Sequence, residues 1–83
     1  MAIFKYEYFK SDTCGACQMV TPIVEEFIAK GNKVDIINTS ADESDREYAK
    51  SVNVTSLPTF IIYDENNNEV KRVNGYFAEI PQP

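Results

Sequence analysis

Two cysteines separated by two residues are the part of this sequence best suited to chemistry. Cys14 and Cys17 enclose Gly15 and Ala16, and they are the only cysteines in the 83-residue chain. Two thiols at this spacing can form a disulfide with each other, and a thiolate can attack the disulfide of another molecule. The sequence has no histidine, which excludes Ser-His and Cys-His catalytic pairs and Cys₂His₂ zinc sites. The spacing therefore predicts a redox-active dithiol.

The expected position of the pair gives the two sulfurs different roles. An aromatic strand over 3–9 precedes the motif and a helix over about 17–30 follows it, so the cysteines lie where strand leads into helix. Unpaired N–H groups and the positive end of the helix dipole stabilise a thiolate there, which predicts Cys14 as the nucleophile. Cys17 lies one turn further on and is expected to be more covered. It is therefore predicted to be the resolving thiol that displaces the substrate.

Two other uses of the cysteine pair remain open. A permanent disulfide that closes so short a ring would remove little chain entropy, about 2 kcal/mol in the loop model. A zinc site would need further ligands, because Cys-x-x-Cys is only half of many such sites and no third cysteine exists. We therefore expect no metal site, and no cofactor besides a redox-active disulfide between Cys14 and Cys17.

The remaining sequence predicts one α/β domain over 1–83, with the element order β-α-β-α-β-β. Pro22 lies inside the first helix and is expected to kink it, whereas Gly31 is expected to end it. Ser40 and Glu43 have the spacing of a capping box at the start of the second helix. Further strands are predicted over 34–38, 59–63 and 69–74. A parallel β-α-β unit and an antiparallel hairpin would then form one mixed four-stranded sheet with helices packed on it.

Composition and charge exclude several classes of partner. The net charge is −5, and the eight basic residues are scattered along the chain, so no patch could gather phosphates. The longest apolar runs are far shorter than the roughly 20 residues that span a bilayer. The first nine residues lack the unbroken apolar stretch of a signal peptide. We expect no nucleic-acid partner, no membrane partner, a cytoplasmic location and a monomer.

Taken together, these motifs mean that the chain resembles the thioredoxin family, and especially its compact, glutaredoxin-sized members. The resemblance extends over nearly the whole chain and rests on Cys14-Gly15-Ala16-Cys17, Pro22, Leu57-Pro58-Thr59 and Gly75. It implies a thioredoxin-like fold and a cis peptide bond before Pro58, with the Leu57 backbone facing the sulfurs and pairing with an extended substrate chain. An ordinary trans proline is the alternative. The implied substrate groove comprises Gly15, Ala16, Leu57, Pro58, Gly75 and Tyr76.

The chain also departs from the pattern of the family it resembles. Tyr8 stands where the family has a buried aspartate that helps to deprotonate the resolving thiol, so Asp12, Asp35, a tyrosine or water could serve instead. Glutaredoxins have paired glycines after the last strand to hold glutathione, whereas this chain has only Gly75. The extra strand and helix in front of the thioredoxin core, and the full helix after it, are not expected here.

The resemblance implies a reductase of protein disulfides that acts as a cytosolic hydrogen donor. A thioredoxin-reductase-like flavoenzyme would then return electrons to Cys14 and Cys17, and glutathione is the alternative electron source. A different class of function is also open, because a thioredoxin fold can serve as a non-catalytic binding subunit of a larger assembly.

Overall fold

A computed structural model describes residues 4–83 and confirms the predicted order of elements. These are β1 (Lys5–Lys10), α1 (Gly15–Ala29), β2 (Val34–Asn38), α2 (Glu43–Ser51), β3 (Thr59–Tyr63) and β4 (Glu69–Asn74). The last three strands have the predicted bounds. The first strand ends one residue later than predicted, and Ile3, its predicted first residue, lies outside the described residues.

The four strands form one mixed sheet in the order β2-β1-β3-β4. β1 pairs in parallel with β2, while β3 runs antiparallel to both β1 and β4. This arrangement confirms the predicted mixed sheet and makes β1 and β3 its central strands. Because Phe9 pairs with Thr59, the loop after β1 and the loop before β3 leave the sheet at the same end.

Side chains that alternate along the central strands divide the core into two layers. Tyr8 and Phe60 pack with Val20 and Val24 of α1 on one face of the sheet. Phe9 and Ile61 pack with Ile37 and Ala49 on the other face, which α2 covers. The period of two in a strand sends neighbouring residues to opposite faces, so β1 contributes to both layers.

The two helices begin at different residues from those predicted. α1 begins two residues earlier than expected, at Gly15, and it continues through Pro22. Gly31 follows it with a φ of +102°, as expected for a glycine after a helix. The predicted capping box at Ser40 is wrong, because Asp42 caps α2 by accepting a hydrogen bond from the Ser44 N–H.

The hydroxyl of Ser40 is engaged elsewhere, which explains the later start of α2. It accepts a hydrogen bond from the Asp12 N–H and donates one to the Asn38 side chain, both at 2.8 Å. Neither α1 nor α2 has the length and apolar character needed to cross a membrane, and residues 4–83 contain no other helix.

Candidate active site

Cys14 is the N-cap residue of α1, and its sulfur accepts a hydrogen bond from the helix. The Cys17 N–H donates to the Cys14 Sγ at 3.1 Å. The first turn of α1 contains no acidic residue, so nothing there opposes the positive end of the helix dipole. A negative charge on the Cys14 sulfur is therefore stabilised by a backbone N–H and by the dipole.

The two cysteines differ in their exposure to solvent. Cys14 is partly exposed, whereas Cys17 is fully buried, as the sequence predicted. Their sulfurs form a disulfide, and their Cα atoms are 5.2 Å apart. An incoming substrate can therefore reach Cys14 but not Cys17. In the described part of the chain, no three His, Cys, Asp or Glu side chains are grouped so that they could hold a metal ion.

Hydrogen bonds with Asn38, the last residue of β2, and with Ser40 hold the loop that carries Cys14. The Asn38 amide donates to the Asp12 carboxylate at 3.0 Å, and the Asp12 N–H donates to the Ser40 hydroxyl. The Cys14 N–H in turn donates to the Ser11 carbonyl. These contacts fix the direction in which the chain enters α1.

The residues predicted to form the substrate groove lie on three separate segments. The peptide bond between Leu57 and Pro58 is cis, as predicted, and the Gly75 N–H donates to the Pro58 carbonyl at 2.7 Å, which joins the second segment to the third. Tyr76 follows Gly75 and is 54% exposed. Gly15 and Ala16 are the first residues of α1 and form the first segment. The pairing of β1 with β3 brings the first segment to the same end of the sheet as the other two, although none of the hydrogen bonds in residues 4–83 joins it to them directly.

Comparison of the sequence with known protein families is consistent with the cysteine arrangement described above. The family model for thioredoxin matches residues 7–80. The chain belongs to the thioredoxin family.

Individual thioredoxins also match most of the chain. Thioredoxin H2 of Arabidopsis thaliana is 34% identical over 67 residues, which cover 81% of this chain and 49% of the plant protein. A thioredoxin of Chlamydia pneumoniae is 39% identical over 67 residues, covering 81% of this chain and 64% of its own. Thioredoxin 1 of Thermosipho africanus, a solved structure, has a TM-score of 0.73 and 28% identity, with coverage of 89% of this chain and 80% of its own. The chain thus spans about half of the length of the plant thioredoxin and less than two thirds of the length of the chlamydial one.

Tyr8 and Thr21 hold the backbone of Cys17. The Tyr8 hydroxyl lies 2.9 Å from the Thr21 hydroxyl and 3.3 Å from the Cys17 carbonyl oxygen, and the Thr21 hydroxyl donates to the same carbonyl at 2.7 Å. Burial raises the pKa of Tyr8 above its ordinary value, so its phenol stays protonated at neutral pH. A protonated phenol cannot accept the proton of Cys17, so Tyr8 positions this cysteine and is not its base.

Asp12 is the acidic residue that shares a pocket with Cys17. This pocket has a volume of about 340 Å³, and its lining includes Lys10, Asp12, Cys17 and Thr21. The hydrogen bond from the Asn38 amide, and then the nearby Ser40 hydroxyl, hold the pKa of Asp12 below its ordinary value, so its carboxyl is ionised at neutral pH. Asp35 lines a different pocket, beside Phe4 and Lys33. Of the two aspartates that the sequence left open, Asp12 and not Asp35 lines the pocket that includes Cys17.

Sequence reasoning missed Glu7, a carboxylate in the interior of the α2 layer. Glu7 is only 3% exposed, and its Oε2 accepts a hydrogen bond of 2.6 Å from the Tyr48 hydroxyl and lies 3.5 Å from the Lys5 Nζ. Its Oε1 has no hydrogen-bond partner among residues 4–83. Strand alternation could have located it, because a residue between Tyr6 and Tyr8 in a central strand must face the opposite, α2-covered layer.

The buried carboxylate of Glu7 also affects the two tyrosines that face it. Burial, and then the hydrogen bond and the negative charge of Glu7, raise the pKa of Tyr48 well above its ordinary value. Burial and the Glu7 charge raise the pKa of Tyr63 to about 12. Both phenols therefore remain neutral over the whole physiological range.

Proposed function

We propose that this protein is a thiol-disulfide oxidoreductase that reduces protein disulfides through Cys14 and Cys17. One observation carries the proposal: a partly exposed Cys14 caps α1 and accepts the Cys17 N–H, while Cys17 is fully buried behind it. Because of this difference in exposure, the Cys14 sulfur is suited to attack the substrate and the Cys17 sulfur is suited to resolve the mixed disulfide. Membership of the thioredoxin family supports the same activity.

The proposed reaction moves two electrons from the dithiol to the substrate. The Cys14 thiolate attacks one sulfur of the substrate disulfide, forms a mixed disulfide and releases the other substrate sulfur as a thiolate. Cys17 loses its proton and attacks the Cys14 sulfur, which forms the Cys14–Cys17 disulfide and releases the second substrate thiolate. Asp12, directly or through solvent in the shared pocket, is the proposed acceptor of the Cys17 proton.

The electron source and location belong to the same proposal. A thioredoxin-reductase-like flavoenzyme using NADPH would reduce the Cys14–Cys17 disulfide, and the protein itself would need no further cofactor. The single Gly75 after β4 favours this source over glutathione. A cytosolic location fits a hydrogen donor, because that compartment keeps dithiols reduced.

Reduction of insulin disulfides with two alternative electron sources tests the proposal. One reaction contains thioredoxin reductase and NADPH, and the other contains glutathione, glutathione reductase and NADPH. We expect NADPH consumption that depends on the protein in the first reaction, and its loss in Cys14→Ser and Cys17→Ser.

Activity with glutathione alone would overturn the proposed electron source and favour the glutaredoxin-like alternative. No activity with either source would overturn the reductase function itself. An assembly role that survives replacement of both cysteines by serine would then support the binding-subunit alternative.

A further inference from the structure

A small pocket with two positively charged side chains adjoins the loop that carries Pro58. The pocket has a volume of about 180 Å³ and lies between the end of α2 and the loop before β3. We call it the α2 pocket. Its polar lining consists of Arg46 and Lys50 with the hydroxyl residues Thr39, Thr55 and Ser56, and Leu57 forms part of its wall.

The electrostatics of the α2 pocket favour a negatively charged group. Arg46 and Lys50 are four positions apart on α2, so their side chains lie on the same face of the helix. The pocket lining contains no carboxylate, and within residues 4–83 neither cation lies within salt-bridge distance of an acid. Lys50 lies in the last turn of α2, whereas the acids Glu43, Asp45 and Glu47 lie nearer its start, beside Arg46, and Asp42 is engaged as the N-cap. Two cations are thus left available on a protein whose net charge is −5.

The position of the α2 pocket places it next to the proposed path of the substrate. Leu57 lines the pocket, and its backbone is also the group proposed to pair with an extended substrate chain. The neighbouring loop is held in place, because the Thr59 hydroxyl donates to the Ser56 carbonyl at 2.7 Å. An extended substrate advances about 3.3 Å per residue, so a side chain near its cysteine can reach this pocket.

We infer that the α2 pocket binds an acidic side chain of the polypeptide whose disulfide Cys14 attacks. The guanidinium of Arg46 and the ammonium of Lys50 supply charged donors for the carboxylate, and the hydroxyl groups of the lining supply neutral ones. The inference deepens the proposed function and rests on it. It makes this protein a reductase with a preference for acidic sequences beside the disulfide.

A series of disulfide peptides tests this specificity. The peptides differ only in a single glutamate that is moved along the chain on either side of the cysteine, and each has a matched peptide with glutamine. At low ionic strength we expect the parent protein to reduce the best glutamate peptide with a kcat/KM about fivefold above that of its glutamine match, as two exposed charge pairs would give. We expect added salt to remove most of this difference, because exposed charges are screened.

Charge-matched variants separate the pocket from the net charge of the protein. Arg46→Gln combined with Lys50→Gln should abolish the preference and leave reduction of bis(2-hydroxyethyl) disulfide, a small neutral substrate, unchanged. Lys33→Gln combined with Lys71→Gln removes the same charge from exposed sites outside the pocket and should retain the preference.

The outcomes distinguish failure of the inference from failure of the proposed function. Equal reduction of every glutamate peptide and its glutamine match by the parent protein would overturn the inference alone. A preference that persists in the Arg46 and Lys50 variant, or that disappears equally in the control variant, would also overturn it. Failure to reduce any peptide would overturn the proposed function and the inference together.

Discussion

The hydroxyl group of Tyr48 is expected to stabilise the fold because it is the closest partner of the buried Glu7. Tyr48→Phe removes the hydroxyl that donates to Glu7 Oε2 at 2.6 Å and retains the ring, which stacks on Phe9 with ring centroids 6.0 Å apart. The variant leaves Glu7, which is 3% exposed, with the Lys5 ammonium 3.5 Å away and the Tyr63 phenol as its remaining polar neighbours. It therefore tests the hydrogen bond with little change in packing.

The expected loss follows from the burial of the carboxylate. A hydrogen bond to a charged group contributes about 1.5–3 kcal/mol to stability. Tyr48 itself is 36% exposed, so water can reach part of the vacated space, and we expect the lower part of this range, about 1.5–2 kcal/mol. For a domain of this size, each kcal/mol corresponds to a decrease in Tm of about 4–8 °C.

Urea unfolding followed by far-UV circular dichroism measures this loss directly. Tyr76→Phe is the matched control, because it removes the same hydroxyl from a side chain that is 54% exposed, and it should change the free energy of unfolding by less than about 0.5 kcal/mol. Glu7→Gln combined with Tyr48→Phe should lose less stability than the sum of the two single changes, because the residues are in contact. A Tyr48→Phe protein as stable as the parent would show that the hydrogen bond to Glu7 does not stabilise the fold.

Three further predictions concern pH and the order of the thiol reactions. The pKa of Tyr48 is raised and that of Tyr63 is raised to about 12, so the folded state favours the neutral phenols. The stability that this contributes is fully present below pH 10, and we expect it to be lost as the pH rises from about 10 through 12. Urea midpoints across this range measure the loss, and Tyr63→Phe should reduce it. Limiting iodoacetamide should label Cys14 before Cys17 in the reduced protein, and preferential labelling of Cys17 on peptide mapping would reverse the assigned roles. Tyr8→Asp should shorten the lifetime of a trapped mixed disulfide relative to Tyr8→Asn, and equal decay in the two variants would show that an acid at this position does not assist resolution.

The regular elements of the fold could be predicted because each has a local pattern. β3, with its run of apolar residues, and β4, which follows an asparagine-rich turn, have the predicted bounds. The start of α1 was harder to predict, because Gly15 and Ala16 add nothing to the apolar periodicity. The N-cap is also a cysteine, which is not one of the usual capping residues. The start of α2 depended on a contact distant in sequence, since Asp12 engages the hydroxyl of Ser40.

The parts of the candidate site that consist of short sequence motifs could be predicted. The cysteine pair, the cis peptide before Pro58 and the glycine turn at Gly75 could all be inferred from short stretches of sequence. The α2 pocket could not, because it combines the end of β2, one face of α2 and the loop before β3, which meet only in the folded chain. The partner of Glu7 was inaccessible for the same reason, as Tyr48 lies 41 positions away.

Trapping the mixed disulfide tests most directly whether Cys14 attacks the substrate and Cys17 resolves the mixed disulfide. Reduced Cys17→Ser is incubated with a disulfide-bonded protein, and the products are separated without reductant and mapped by mass spectrometry. We expect a covalent adduct through Cys14 that a small thiol releases, and no adduct with Cys14→Ser. The absence of an adduct in Cys17→Ser, or an equally abundant adduct in Cys14→Ser, would show that Cys14 is not the attacking thiol.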